Sequence, residues 1–284
     1  MTTHIDFRTL ALRYKVIFFD AYGVLKNHDG IIPGVPRTIE FLAENNIDFF
    51  ILTNDASRSP EELVEAYHRA GIESITPDKL ISSGLLAHDF LQEKVNYGYV
   101  AYLGTVRSAH YVETLGLKTI PIGELELGDI ENINALVLLD DEGFDWQHDV
   151  NKAINLLRQR NMPVIVANQD RTYPTSSNEV AVAIGGLSNM MEQMVGKKFL
   201  RFGKPDTQIF HYVWDRIKDR GDLRKKDILM VGDTLLTDIL GGNKFGIDTA
   251  LVLTGNTLPN RADARIEATG IIPTYICDTV AMER

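Results

Sequence analysis

Cysteine is almost missing from this chain of 284 residues, where Cys277 stands alone. One thiol can form neither an internal disulfide nor a cysteine-rich zinc site, so a buried, inert side chain is expected there. Basic residues are also scarce, 29 Lys and Arg against 39 Asp and Glu, for a formal charge of -10. Gripping nucleic acid by phosphate neutralisation needs a basic surface, which excludes that class but leaves local phosphate binding open. No apolar run reaches the length of a membrane span. The opening MTTHIDFRTLALRYK has no basic flank, apolar middle and small-residue cleavage site in series, so a cytoplasmic chain is expected, with no membrane partner. None of the 7 histidines sits at metal-pair spacing, and no segment is of low complexity.

What is present is an alternation of short apolar runs with helical stretches. Val16 to Phe19 reads as a buried parallel strand that delivers Asp20 to its tip. Thr38 to Asn45 fits a helix, and Ile47 to Leu52 a second strand ending in Thr53, Asn54 and Asp55. In SRSPEEL, Ser59 can cap a helix, Pro60 suits its first turn and Glu62 completes a capping box. The pattern restarts between about Ser82 and Ile184, with strand candidates at Tyr97 to Leu103, Ala135 to Leu139 and Val164 to Ala167. It then returns to FGKPD, a helix carrying Ile209, Val213 and Ile217, strand Ile228 to Val231, helix Ile239 to Phe245 and strand Thr249 to Leu253. These runs predict an α/β protein: a Rossmann-like, doubly wound parallel sheet over 1–81 and 185–284, interrupted by an inserted α/β domain over 82–184.

In such a sheet, functional groups collect at the carboxyl ends of the strands. Asp20, Asp233 and Asp238 all fall at or just beyond such ends. Taken singly, each suits a cap or a turn. Taken together they would repel, and a hard cation with oxygen ligands, such as magnesium, would hold them. Lys204 lies in a rigid Gly-Lys-Pro loop where a helix begins, and Thr53 with nearby backbone N–H groups could cradle phosphate oxygens.

The order FFDAYGV, ILTNDAS, GKPD, MVGDTLLTD resembles the haloacid dehalogenase superfamily, and specifically its NagD-like class IIA group, which places its cap (the C2 type) between the second and third motifs. The resemblance covers nearly the whole chain. It implies a magnesium-dependent phosphatase in which Asp20 attacks phosphorus to give an aspartyl-phosphate that water then hydrolyses. The metal would be held by Asp20, the backbone carbonyl of Tyr22 and Asp233, with Asp238 orienting water or Lys204. Thr53, Asn54 and the adjoining Asp55 would serve the phosphoryl group, and Lys204 would offset its charge. The cap would close as a lid over a small phosphorylated metabolite, and its surface is a candidate homodimer contact.

One departure matters. Phosphatases of this superfamily carry a second Asp two residues after the nucleophile as acid and base, and here that position is Tyr22. A phenol is a poor base at neutral pH, so slow turnover of alkyl phosphates is expected. FDAYG is also similar to the first motif of the haloacid dehalogenases themselves, which displace halide without a metal. The pair Asp233 and Asp238 favours phosphate over that carbon-halide alternative, and a non-catalytic phosphoryl-binding protein is the third reading. In the cap, NQDRTYP follows a strand, making Asn168, Asp170 and Arg171 candidates for the substrate, with an ordinary turn as the alternative.

Overall fold

The computed structural model describes residues 3–95, 97–128, 130–176 and 179–283. Strand β1 (Thr3–His4), helix α1 (Phe7–Ala11) and strand β2 (Val16–Phe19) open the chain. A small hairpin, β3 (Lys26–Asn27) and β4 (Gly30–Ile31), leads to α2 (Val35–Glu44), β5 (Asp48–Thr53), α3 (Pro60–Arg69) and β6 (Leu80–Ser82). Helix α4 (Ser83–Lys94) carries the chain into β7 (Tyr99–Leu103), α5 (His110–Glu113), β8 (Lys118–Pro121), β9 (Ile133–Leu138), α6 (His148–Gln159) and β10 (Val164–Val166). The antiparallel pair β11 (Thr172–Pro174) and β12 (Val180–Val182) precedes α7 (Ile184–Val195) and β13 (Leu200–Arg201). The return runs through α8 (Gln208–Ile217), β14 (Ile228–Gly232), α9 (Leu240–Phe245), β15 (Asp248–Val252), α10 (Ala262–Thr269) and β16 (Tyr275–Cys277). Among the described residues, no helix is long and apolar enough to cross a membrane.

Two parallel sheets result. The larger has the order β1-β16-β15-β14-β2-β5-β6 and the smaller β13-β10-β9-β7-β8. Strand β2 is apolar at every position because helices cover both of its faces: Ile17 and Phe19 join one buried cluster with Leu42 and Tyr67, while Phe18 joins another with Phe50 and Phe210. Phe19 pairs with Ile51 on one side and Val231 on the other, so β5, β2 and β14 end side by side. That register places Asp20, Thr53 and Asp233 on one edge.

Local chemistry sets several boundaries as expected. Helix α3 starts on the capping box, with Ser59 Oγ accepting the Glu62 N–H and the Glu62 carboxylate accepting the Ser59 N–H. Helix α9 stops at Gly246, whose φ of 85° is a left-handed conformation that a Cβ would oppose. Two expectations change. The helix expected from Ile239 begins at Leu240, because Leu235–Ile239 forms a wide π-turn. This turn brings the Asp238 carboxylate back under the Thr234 N–H, at 3.0 Å. The inserted region also runs past 184: α7 packs on the smaller sheet, and β13 completes that sheet beside β10. A two-residue strand carries no periodicity to read. Where the chain re-enters the larger unit, Phe202 packs on Phe90 of α4, with ring centroids 5.3 Å apart.

Candidate active site

The Asp20 N–H donates to the Val231 carbonyl at 2.8 Å, which ties the residue to β14 as well as to its own strand. Its Oδ1 accepts the Ala21 N–H at 2.7 Å and lies 2.6 Å from Lys204 Nζ. Asp233 and Asp238 are buried, and the three carboxylates each bring an oxygen within 4.8 Å of the others. Asp233 accepts from the Thr234 hydroxyl at 2.8 Å and from the Asn256 N–H at 2.6 Å. Asp238 Oδ1 lies 2.7 Å from Lys204 Nζ, an ion-pair contact without hydrogen-bond geometry.

At such spacing, and with an effective dielectric near 20, each carboxylate pair repels by about 3 kcal/mol. Burial first, and the nearby Asp20 charge second, push the Asp233 carboxyl up to about 7; the same two causes raise Asp238 strongly. Burial works against the Lys204 ammonium, but Asp20, Asp238 and Asp170 outweigh it and leave its pKa raised. With all three carboxyls ionised, one ammonium would not balance them, and a cation at the site would favour that ionised state. An all-oxygen set of this kind fits a hard divalent cation. The backbone closes tightly around it: a Cβ on Gly23 or Gly255 would come within 2.2 or 1.8 Å of Asp233 Oδ2.

Thr53 and Asn54 are buried at the end of β5. The Asn54 side chain, expected to serve the phosphoryl group, is already engaged. Its Oδ1 accepts the Lys204 N–H at 2.8 Å, and its Nδ2 donates to the Lys204 carbonyl and to Asp170 Oδ1, both at 2.9 Å. It clamps the Lys204 loop and meets the inserted region. Gly203 makes room for this, since a Cβ there would fall 2.3 Å from Asn54 Oδ1. Asp55 is committed too, accepting from the Ser57 N–H and hydroxyl at 3.0 and 2.6 Å, with Lys26 Nζ at 3.7 Å.

The Tyr22 side chain reaches the inserted region. Its hydroxyl donates to the Pro174 carbonyl on β11 at 2.9 Å, and burial, then Asp29, raises its pKa. In the loop after β10, Asn168 Oδ1 accepts the Asp170 N–H at 2.8 Å, which is turn formation. Asp170 does reach the larger unit through Asn54, and burial pushes its carboxyl up to about 6 against the pull of Lys204. Arg171 is exposed and borders a cavity of about 470 Å³ between this loop and the segment after β14.

Sequence reasoning missed several participants. Gln169 donates to the Gly203 carbonyl at 2.8 Å and to Asp206 at 2.9 Å, docking the loop beside Lys204. Thr254 donates to the Gly23 carbonyl at 2.5 Å, and Asn256 reaches Asp233 as described. The segment TGN directly after β15 lies on the same strand-end edge as the recognised motifs, and that position was the available signal.

Comparison with known proteins gives the family and the fold. Residues 17–118 match the family described as haloacid dehalogenase-like hydrolase, and residues 201–282 match a second HAD-hydrolase-like family. A crystal structure described as "possible sugar phosphatase, HAD superfamily", from Cytophaga hutchinsonii, is 51% identical, covers 100% of both chains and superposes with a TM-score of 0.95. Human chronophin is 28% identical over 95% of this chain and 92% of its own. The glycerol phosphate phosphatase of Mycobacterium tuberculosis, in complex with magnesium, is 25% identical over 95% of this chain and 77% of its own, with a TM-score of 0.74. The chain belongs to the haloacid dehalogenase superfamily of hydrolases, in its NagD-like class IIA branch of phosphatases.

Proposed function

We propose that this protein hydrolyses a phosphomonoester of a small metabolite by two successive displacements at phosphorus, with Asp20 as nucleophile. The carrying observation is the contact of 2.6 Å between Lys204 Nζ and Asp20 Oδ1, inside a cluster of three carboxylates. With Oδ1 held by Lys204 and the Ala21 N–H, Oδ2 has no partner among the described residues and is the attacking oxygen. As it bonds to phosphorus, the ester oxygen leaves with the bonding pair and takes a proton from solvent; water then attacks the same phosphorus, the bond to Asp20 Oδ2 breaks with its pair returning to the carboxylate, and the water's proton passes to solvent as phosphate is released. Lys204 balances the negative charge shared by nucleophile and phosphoryl group, and Thr53 with adjoining backbone N–H groups receives the phosphoryl oxygens. Asp20, Asp233 and the Tyr22 carbonyl would hold magnesium, with Asp238 behind them, and the bound ion would supply Lewis-acid stabilisation of the phosphoryl oxygens.

The Tyr22 hydroxyl donates its hydrogen bond to the Pro174 carbonyl and so offers none to the leaving oxygen. Turnover therefore depends steeply on how good the leaving group is. The segment from β7 to β13 serves as a lid, with Asp170 and Gln169 seated against the Lys204 loop, and Val182, Met190 and Met194 on its exposed side support pairing of two copies.

Phosphate release from p-nitrophenyl phosphate, with and without magnesium, tests the reading. Metal-dependent turnover that disappears in Asp20→Asn is expected. Halide release from 2-haloacids without metal would instead establish carbon-halide chemistry, and tight phosphate binding with no turnover of any ester would establish a binding protein.

A further inference from the structure

The connection from β5 to α3, residues 53–59, carries Thr53 and the backbone N–H groups proposed to receive the phosphoryl oxygens, and the inserted region grips it. Within the connection, the Asp55 N–H donates to Thr53 Oγ1 at 3.2 Å and the Ser57 N–H to Asp55 Oδ1 at 3.0 Å. From outside, Tyr111 on α5 reaches its far end: the phenol donates to the Arg58 carbonyl at 2.7 Å and lies 2.7 Å from Ser82 Oγ. A carbonyl only accepts, so the single phenolic hydrogen goes to Arg58 and the Ser82 hydroxyl donates to Tyr111. Ser82 Oγ in turn accepts the Leu85 N–H at 3.2 Å as the cap of α4. One directed chain of hydrogen bonds therefore runs from the start of α4 through Tyr111 to Arg58.

The same Ser82 is the ladder partner of Thr53. Both ends of the connection are thus referred to one residue: Thr53 through the sheet, and Arg58 through Tyr111. Ser82 and Tyr111 are both buried, so these hydrogen bonds are sheltered from competing water. Burial also pushes the pKa of the phenol up, which keeps it a donor. A glycine makes the placement possible, since a Cβ on Gly84 would fall 2.5 Å from the Tyr111 ring. A second contact from the inserted region lands close by, where Arg107 donates to Glu62 Oε1 at 2.6 and 3.2 Å. That pair is exposed and contributes little; the buried chain is what fixes the connection.

We propose that Tyr111 is a positioning residue for phosphoryl binding: through the Arg58 carbonyl it holds the connection from β5 to α3 in the shape that receives the phosphoryl oxygens. It acts through that carbonyl and takes no part in the displacement at phosphorus. The inference rests on the phosphatase reading and adds that one part of the inserted region acts on the phosphoryl end of every ester alike, whatever its alcohol. A loop already held in its bound shape loses no binding free energy to ordering. Release of this hold should therefore weaken all phosphoryl ligands by one common factor.

The probe is inorganic phosphate, titrated by calorimetry into the full chain at saturating magnesium. Tyr111→Phe removes the hydroxyl and leaves the ring on Gly84, so the variant is expected to fold, which its melting curve verifies. Its affinity for phosphate should fall about five- to thirtyfold, and kcat/KM for p-nitrophenyl phosphate and for glycerol 3-phosphate should fall by that same factor. Ser82→Ala breaks the chain one link earlier and should act in the same direction, which gives a second reading if Tyr111→Phe folds poorly. Arg107→Gln also loosens the contact between the units, but off the chain, and should leave phosphate affinity within about twofold. Unchanged phosphate affinity in folded Tyr111→Phe, or equal weakening in Arg107→Gln, overturns the proposal. Turnover by the wild type with an affinity that ignores Tyr111→Phe would refute the positioning role alone. An affinity that follows Tyr111→Phe, in a chain that turns over no ester, would refute the phosphatase reading alone.

Discussion

The two sheets are built alike, parallel strands between helices, yet they contribute to the site in opposite ways. The larger one delivers its polar groups from strand ends that pair directly, so Asp20, Thr53 and Asp233 are held by the ladder itself. The smaller one delivers Gln169, Asp170 and Arg171 from a single loop after β10, held by a few side-chain hydrogen bonds. The difference teaches that the chemistry is built on a rigid edge, where displacement of an atom is costly. The loop of the smaller sheet is tied to the larger unit by side-chain hydrogen bonds alone.

The comparison is broken most sharply at its rigid side. Asp20→Asn should lower turnover of p-nitrophenyl phosphate by at least about 10⁴-fold. In the presence of a chelator, the same substitution should raise the melting temperature, because it removes a charge that disfavours Asp233 and Asp238. A fall in melting temperature would mean that Asp20 is chiefly a structural partner of Lys204. Next comes the position where the two units meet. Tyr22→Asp should raise turnover of alkyl phosphates by about 10²-fold and leave p-nitrophenyl phosphate nearly as it was, since only the poor leaving group needs a proton. Equal gains on both esters would show that Tyr22 acts through the Pro174 contact and not through missing acid chemistry.

Proton competition gives an intermediate effect. Asp233 has a pKa of about 7 in the folded chain and an ordinary one near ~4 when unfolded, so the native state binds more protons between these values. Stability of the chelated protein is therefore full below about pH 4 from this group and is lost as pH rises toward 7. Magnesium should reverse that loss above pH 7, and thermal melts with and without the ion across pH 5 to 8 would reveal it. The smallest expected effect belongs to the loop. Gln169→Ala removes two hydrogen bonds to the Lys204 segment, worth about 1–2 kcal/mol of docking, and should speed amide exchange in β11 while leaving β2 unchanged.

Legibility followed the same division. Apolar runs that end in Asp20, Thr53 and Asp233 announce both a buried strand and the group at its tip, so fold and cluster could be read together. Lys204 was legible because glycine and proline frame it. The role of Asn54 was not, since nothing in TNDAS tells that its amide turns toward a backbone 150 residues away. Tyr22 declared an absence in the sequence, and only the structure shows its hydroxyl on the Pro174 carbonyl. The insertion's second edge was hidden by a strand of two residues.

The Asn54 amide has a consequence for release of product. One side chain fixes the Lys204 main chain by both its N–H and its carbonyl and also holds Asp170 of the lid. On the lid reading proposed above, opening would take from Asn54 its outer partner and from the ammonium a nearby counter-charge in the same movement. Departure of phosphate would then meet a momentarily more electropositive floor, and opening would be the expected bottleneck in the cycle.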